Sequence, residues 1–212
     1  MIPLRTKNLT GRRSPARLLI LACLLALLGA CATRPVPEAV TAPESAWLAH
    51  RASVAALKDW RIRGRVAVRR DDHGWSADFD WQQTGESYRI RMRGPFGRGA
   101  VELRGDRSGV WLQRQDGPPV YARSAERLLR DETGWELPVH GLGDWLRGLP
   151  AAAEPAALDW DGLGRLRKLQ QDGWSIDYRR YREVGQRQLP DKMQLLRDSL
   201  LVKLVIDEWQ LP

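Results

Sequence analysis

From Trp60 onward the chain alternates apolar and charged residues with a period of two, and the charged rows change sign between segments. In residues 60–68, Trp60, Ile62, Val66 and Val68 alternate with Arg61, Arg63 and Arg65. In 75–81, Trp75, Ala77, Phe79 and Trp81 alternate with Ser76, Asp78 and Asp80. In 88–93, Tyr88, Ile90 and Met92 alternate with Arg89, Arg91 and Arg93. A period of two puts one set of side chains on each face of a strand. Short turns join the three runs, Asp71-Asp72-His73-Gly74 and Thr84-Gly85-Glu86. An antiparallel meander sets Asp78 and Asp80 between two arginine rows, and opposite charges across strands are stabilising. The pattern predicts the order 1-2-3 and an outer face whose arginines pair with its own acids.

Further strands are expected at Ala100–Arg104, Val110–Gln113, Val120–Ala122, Leu166–Gln170, Trp174–Tyr181, Lys192–Arg197 and Leu201–Trp209. In the last, Val202, Leu204 and Ile206 alternate with Lys203, Val205 and Asp207. Helical spacing predicts a first helix over Glu44–Lys58, with Trp47, Arg51, Val54 and Leu57 on one side. Thr41 and Glu44 before it have capping-box spacing. Two shorter helices fit Ala125–Asp131, capped by Ser124, and Leu142–Arg147, stopped by Gly148. Residues 150–157 read as a loop and 159–162 as a turn. A large antiparallel sheet with one wet face either closes as a barrel or curls around helices. With aromatics on its concave side, a curled sheet can enclose a hydrophobic cavity.

The N-terminus carries a different signal. Arg5, Lys7, Arg12, Arg13 and Arg17, with no acidic residue, precede an apolar run from Leu18 to Leu28. Gly29-Ala30-Cys31 closes it. This is a secretory signal with the lipobox Leu-Gly-Ala-Cys, making Cys31 the first residue of the mature chain and its site of acylation. The run is shorter than the roughly 20 residues a transmembrane helix needs. Cys23 would leave an apolar region of only about five residues, below the usual length. Ala32, rather than an aspartate, follows the cysteine and favours the outer membrane. The expected organisation is signal peptide 1–30, acylated Cys31 with a Pro/Ala/Thr-rich tether to 43, and one domain over 44–212.

Removing the signal takes five of the 34 basic residues and none of the 26 acidic ones, which lowers the net charge from +8 to +3. The basic balance therefore gives no reason to expect nucleic acid. Once Cys31 is acylated, no thiol remains for a disulfide or a metal. All ten tryptophans lie in the mature part, against two phenylalanines. Tryptophan suits wide, half-buried surfaces and membrane interfaces, although an ordinary aromatic core uses it too.

The residues offer little chemistry. His50, His73 and His140 lie in separate segments without metal-ligand spacing. There is no Gly-x-Ser-x-Gly elbow and no P-loop. Carboxylates are plentiful, but no spacing singles out a catalytic pair. One loop stands out, Gly94-Pro95-Phe96-Gly97-Arg98-Gly99, between two good strands. Glycine and proline set the turn, but turn chemistry does not call for phenylalanine. Phe96 either folds back onto the sheet or acts as a wedge that enters a bilayer or a partner groove.

Phe79-Asp80-Trp81-Gln82-Gln83, Gly94-Pro95-Phe96-Gly97, Trp145-Leu146-Arg147-Gly148-Leu149-Pro150, Gln171-Asp172-Gly173-Trp174 and Val202-Lys203-Leu204 follow in an order that resembles the LolB family. Arg63-Gly64, Tyr88-Arg89, Thr133-Gly134, Leu137-Pro138 and Leu189-Pro190 extend the likeness over most of the mature chain. The resemblance implies an incomplete, half-open antiparallel β-barrel of about eleven strands around an apolar cavity with an α-helical lid. It implies an outer-membrane lipoprotein receptor that accepts acylated lipoproteins from the periplasmic carrier LolA and incorporates them into the outer membrane. ATP, other cofactors, metal ions and enzymatic activity play no part in that role, and a monomer is expected. The family's membrane-insertion loop falls on Gly94, Pro95, Phe96 and Gly97. Inward positions supply the candidates for the lipid cavity: Trp60, Ile62, Val66, Phe79, Trp81, Tyr88, Ile90, Met92, Leu103, Trp145, Leu146, Val202, Leu204 and Ile206. The alternatives are a lipid-anchored envelope-assembly scaffold with a filled cavity and a lipoprotein hydrolase with unrecognised carboxylates.

Overall fold

The computed structural model describes residues 44–95, 99–133, 138–152 and 156–212, excluding the side chains of Thr133 and His140. Cys31, Phe96 and Gly97 lie outside the described residues. Eleven antiparallel strands form one unclosed sheet in the order β6-β5-β4-β3-β2-β1-β11-β10-β9-β8-β7. The strands are β1 Asp59–Arg70, β2 His73–Thr84, β3 Ser87–Arg93, β4 Val101–Asp106, β5 Gly109–Arg114 and β6 Val120–Ala122, then β7 Ala156–Trp160, β8 Leu166–Gln171, β9 Trp174–Val184, β10 Arg187–Arg197 and β11 Leu200–Gln210. The sheet is two meanders joined where the first strand pairs with the last. Helix α1 is Glu44–Ala55, α2 Ala125–Thr133 and α3 Val139–Leu146. The chain carries α2 and α3 across one face of the sheet between the two meanders.

The charge pattern sets the first meander as expected. Arg63 lies opposite Asp80, and Asp80 opposite Arg91. Arg61 holds Asp80 through two hydrogen bonds of 2.8 and 2.5 Å. Arg65 does the same to Asp207 on β11, at 3.2 and 2.9 Å. These pairs are exposed or half-exposed, so each contributes little on its own. Their main effect is on register: a slip of one residue would turn every arginine into the core. The opposite face is apolar, and its rows run across strands. One is Trp209, Ile62, Trp81, Ile90, Leu103 and Leu112.

Three boundaries differ from the sequence reading. Helix α1 stops at Ala55, with Leu57 buried beyond it and Arg51 exposed. Helix α3 begins three residues earlier, at Val139, just after Pro138. The eleventh strand, β7, occupies 156–160, part of which reads as loop and turn. Ala156 and Ala157 are exposed, and the register breaks between Asp159 and Trp160, so this edge strand lacks a clean alternation.

Candidate functional site

An apolar cavity of about 130 Å³ lies between the concave face of the sheet and the two crossing helices. Its floor comes from six strands. β1 supplies Val66 and Val68, and β2 supplies Trp75, Phe79 and Trp81. Ile90 and Met92 come from β3, Leu103 from β4, Leu195 from β10, and Val202 and Leu204 from β11. Its roof is Leu129 on α2, Pro138, and Val139, Leu142 and Leu146 on α3. Every lining residue is apolar, so the wall offers water no hydrogen-bond partner.

Nine of the residues singled out in the sequence stand on this wall: Val66, Phe79, Trp81, Ile90, Met92, Leu103, Leu146, Val202 and Leu204. Five others stand elsewhere. Trp60 and Tyr88 line a second, more polar recess at one end of the cavity. Ile62 is fully buried, with Trp209 and Trp81 directly opposite on its two neighbouring strands, and does not line the cavity. Ile206 lies opposite Gly64, where the Phe79 ring takes the space. Trp145 is one residue, or about 100° of helix, from Leu146, and that turn takes it off the cavity wall into the core. There its indole N–H donates to Gln171 Oε1 at 2.8 Å and its ring packs against Trp174 at 6.1 Å. Seven wall residues were not among the sequence candidates: Val68, Trp75, Leu129, Pro138, Val139, Leu142 and Leu195. The alternation that selected Val66 and Phe79 also carries Val68 and Trp75. The short helices give no comparable signal for which side faces the cavity.

Helix α3 is fixed at its C-terminal end. The Tyr178 hydroxyl donates to the Trp145 carbonyl at 2.9 Å. Arg147, just past the helix, donates to the Leu57 carbonyl at 2.7 Å and pairs with Asp144. Burial raises the Asp144 carboxyl above the ordinary range, although Arg147 and Lys58 pull the other way. Helix α2 is capped by Ser124, whose hydroxyl accepts from the Arg127 N–H at 3.3 Å, and Glu132 pairs with Arg114 on β5. Helix α1 docks outside the cavity. Trp47 stacks on Trp160 with ring centroids 5.9 Å apart, and Gly164 passes under the Ala46–Trp47 backbone. A Cβ at Gly164 would lie 2.4 Å from the Ala46 carbonyl, on a φ of +74° that already favours glycine.

Comparison with known proteins agrees with this geometry. The family model described as outer membrane lipoprotein LolB matches residues 58–209. The chain is 37% identical over 196 residues to the outer-membrane lipoprotein LolB of Nitrosococcus oceani, covering 92% of this chain and 98% of that one. It is 40% identical over 190 residues to the Pseudomonas putida protein of the same name, covering 88% and 92%. Among solved structures, a LolA superfamily protein from Nitrosomonas europaea superposes with a TM-score of 0.53 at 13% identity, covering 82% of this chain and 94% of that one. A DUF1329 family protein from Desulfovibrio piger gives 0.53 at 7% identity, covering 79% and 92%. These two structural likenesses concern the fold.

Proposed function

The chain belongs to the LolB family of outer-membrane lipoproteins, and on that footing we propose that it is a receptor, anchored by an acylated Cys31, that takes lipoproteins from LolA into its cavity and passes them to the outer membrane. The observation that carries this reading is the wholly apolar cavity under two short helices. A triacylated lipoprotein has three chains of about 15 methylenes, and at ~0.8 kcal/mol each their full exposure to water costs on the order of 35 kcal/mol. Transfer therefore runs from one enclosed apolar site to another. It needs no covalent step and no ATP if each successive site binds the chains more tightly.

The size of the cavity adds a requirement. A dry cavity of about 150 Å³ accommodates benzene, a molecule of six carbons. At about 130 Å³ the cavity is smaller than three acyl chains, so uptake calls for its wall to widen. Because α3 is tied at its C-terminal end and α2 is tied to β5 through Glu132, we assign the movement to the N-terminal turn of α3 around Val139 and Leu142. Substituting Trp81→Glu tests the cavity. A carboxylate there meets only apolar neighbours on the cavity side, at a cost of several kcal/mol unless water enters. The expected variant keeps the far-ultraviolet circular dichroism of the sheet and loses lipoprotein acceptance. A variant that folds and accepts normally contradicts the reading.

A further inference from the structure

The second recess has a volume of about 420 Å³ and adjoins the cavity, because Trp81 and Val139 line both. It differs in character. One side is an aromatic row running from β11 to β3: Trp209, Trp60, Trp81 and Tyr88, with ring centroids 5.6, 5.7 and 6.2 Å apart in sequence. The last three of these line the recess together with the charged residues Lys58, Glu86, Asp106, Arg107, Asp144 and Arg147. Most of the polar groups are already engaged. Arg107 pairs with Glu86, Arg147 with Asp144, and the Trp81 N–H donates to Gln83 Oε1 at 3.1 Å. Two donors are not. Among the described residues, the Tyr88 hydroxyl makes no hydrogen bond, and the Lys58 ammonium, whose charge acts on Asp144, makes no hydrogen bond or ion pair. Burial, and then the Glu126 and Asp106 carboxylates, push the Tyr88 phenol pKa up to about 12.

The topology places this recess at a definite end of the molecule. It gathers the Gly85 turn between β2 and β3 and Arg107 between β4 and β5. The 94–99 connection joins β3 to β4 at the opposite end. Between the two ends the cavity follows β2 from Trp81 to Trp75, six residues or about 20 Å of strand. The site is thus polarised, with an aromatic and polar mouth at one end and a purely apolar interior reaching toward the 94–99 loop.

We propose that this recess binds the polar junction of the substrate, the glyceryl esters, amide and first peptide groups of an acylated N-terminal cysteine, while the acyl chains lie along the cavity toward the 94–99 end. This deepens the receptor reading and rests on it. The junction is rich in carbonyl acceptors, and Tyr88 and Lys58 are the unengaged donors beside the apolar opening. The aromatic row covers the first methylenes at the point where they leave the polar groups. Substrate polarity is fixed, and the chain ends are presented at the end of the sheet where the chain passes from β3 to β4.

The experiment uses the full acylated protein in nanodiscs and a synthetic triacylated lipopeptide in two photoactivatable forms. One carries a diazirine on the residue after the acylated cysteine, the other at the terminal carbons of the acyl chains. Crosslinked peptides are mapped by mass spectrometry. The expected result is head-group label on segments 57–60, 83–88 and 106–107, with chain-end label on strand segments bearing Val68, Trp75 and Met92. Tyr88→Phe combined with Lys58→Met is expected to reduce head-group label at least five-fold and to shift the chain-end positions. Chain-end label in the cavity with head-group label at the 94–99 end, or on α2, overturns the recess while leaving the cavity reading intact. Chain-end label absent from the cavity wall overturns both.

Discussion

Gly64 shows how much one residue decides in this fold. A Cβ there would lie 2.1 Å from the Val205 carbonyl oxygen and 3.1 Å from the Phe79 ring. The β1–β11 register shifts at this point, between Arg63 and Gly64. Gly64→Ala is expected to cost about 1–3 kcal/mol through backbone displacement at the central strand pair, read as a lower melting temperature. An unchanged melting temperature would show that the bulge relaxes freely. His50 on α1 gives a pH prediction. Its ring meets Tyr181 edge-on at 6.4 Å, and its Nε2 is buried without a partner. Burial, and then Arg165, lower its pKa below 6.5, with Asp161 opposing. The unfolded chain therefore binds a proton here before the folded one does. The stabilisation is complete above pH 6.5 and is lost as pH falls from 6.5 through the lowered folded value. Asp80, Glu102 and Asp161, whose pKa values are lowered too, lose their contributions only in the acid range below about 4. Asp144, raised by burial, acts in the opposite sense. The melting temperature should fall between pH 7 and 5, and His50→Gln should flatten that fall. An equal slope in wild type and variant would remove His50 from the account.

At the scale of elements, the long central strands were legible because alternation and charge sign are physical requirements of a one-sided sheet. Arg61, Asp80 and Arg91 give the order of β1, β2 and β3 without coordinates. β7 was not legible, since an edge strand opening on two exposed alanines need not alternate. The helices were half legible: Ser124 and Gly148 mark their limits, but α3 turns Leu146 to the cavity and Trp145 to the core. Which way adjacent residues face depends on what lies beneath them, here the Gln171 side chain that binds both the Trp145 indole and the Ala151 backbone. The 94–99 connection carries its own prediction. If Phe96 enters the bilayer, its burial contributes roughly 1.5–3 kcal/mol to membrane contact, and its loss weakens that contact about ten-fold or more. Phe96→Glu should leave stability and acceptance from the carrier nearly intact while incorporation into liposomes falls and substrate accumulates on the receptor. Equal loss in both assays, with a lowered melting temperature, would make Phe96 a core residue instead.

At the scale of the whole molecule, six strands and two short helices leave a cavity between them on the apolar face of the sheet. The sheet is unclosed: β6, three residues long, and β7 stand at its two ends, each paired on one side only. Alternation alone shows that such a face exists and which strands contribute to it. It does not show the volume left beneath the roof, which depends on how α2 and α3 settle on the concave wall. The central claim is that this volume receives acyl chains by passive handover. The most direct measurement is transfer of a triacylated lipoprotein from purified LolA carrier to the purified protein in the absence of ATP, followed by affinity separation and quantification of substrate on each partner. The account predicts that the lipoprotein moves to the receptor at near one-to-one stoichiometry, and that Trp81→Glu leaves it on the carrier. Substrate remaining on the carrier with the wild-type protein, or moving equally well to the Trp81→Glu protein, would contradict it.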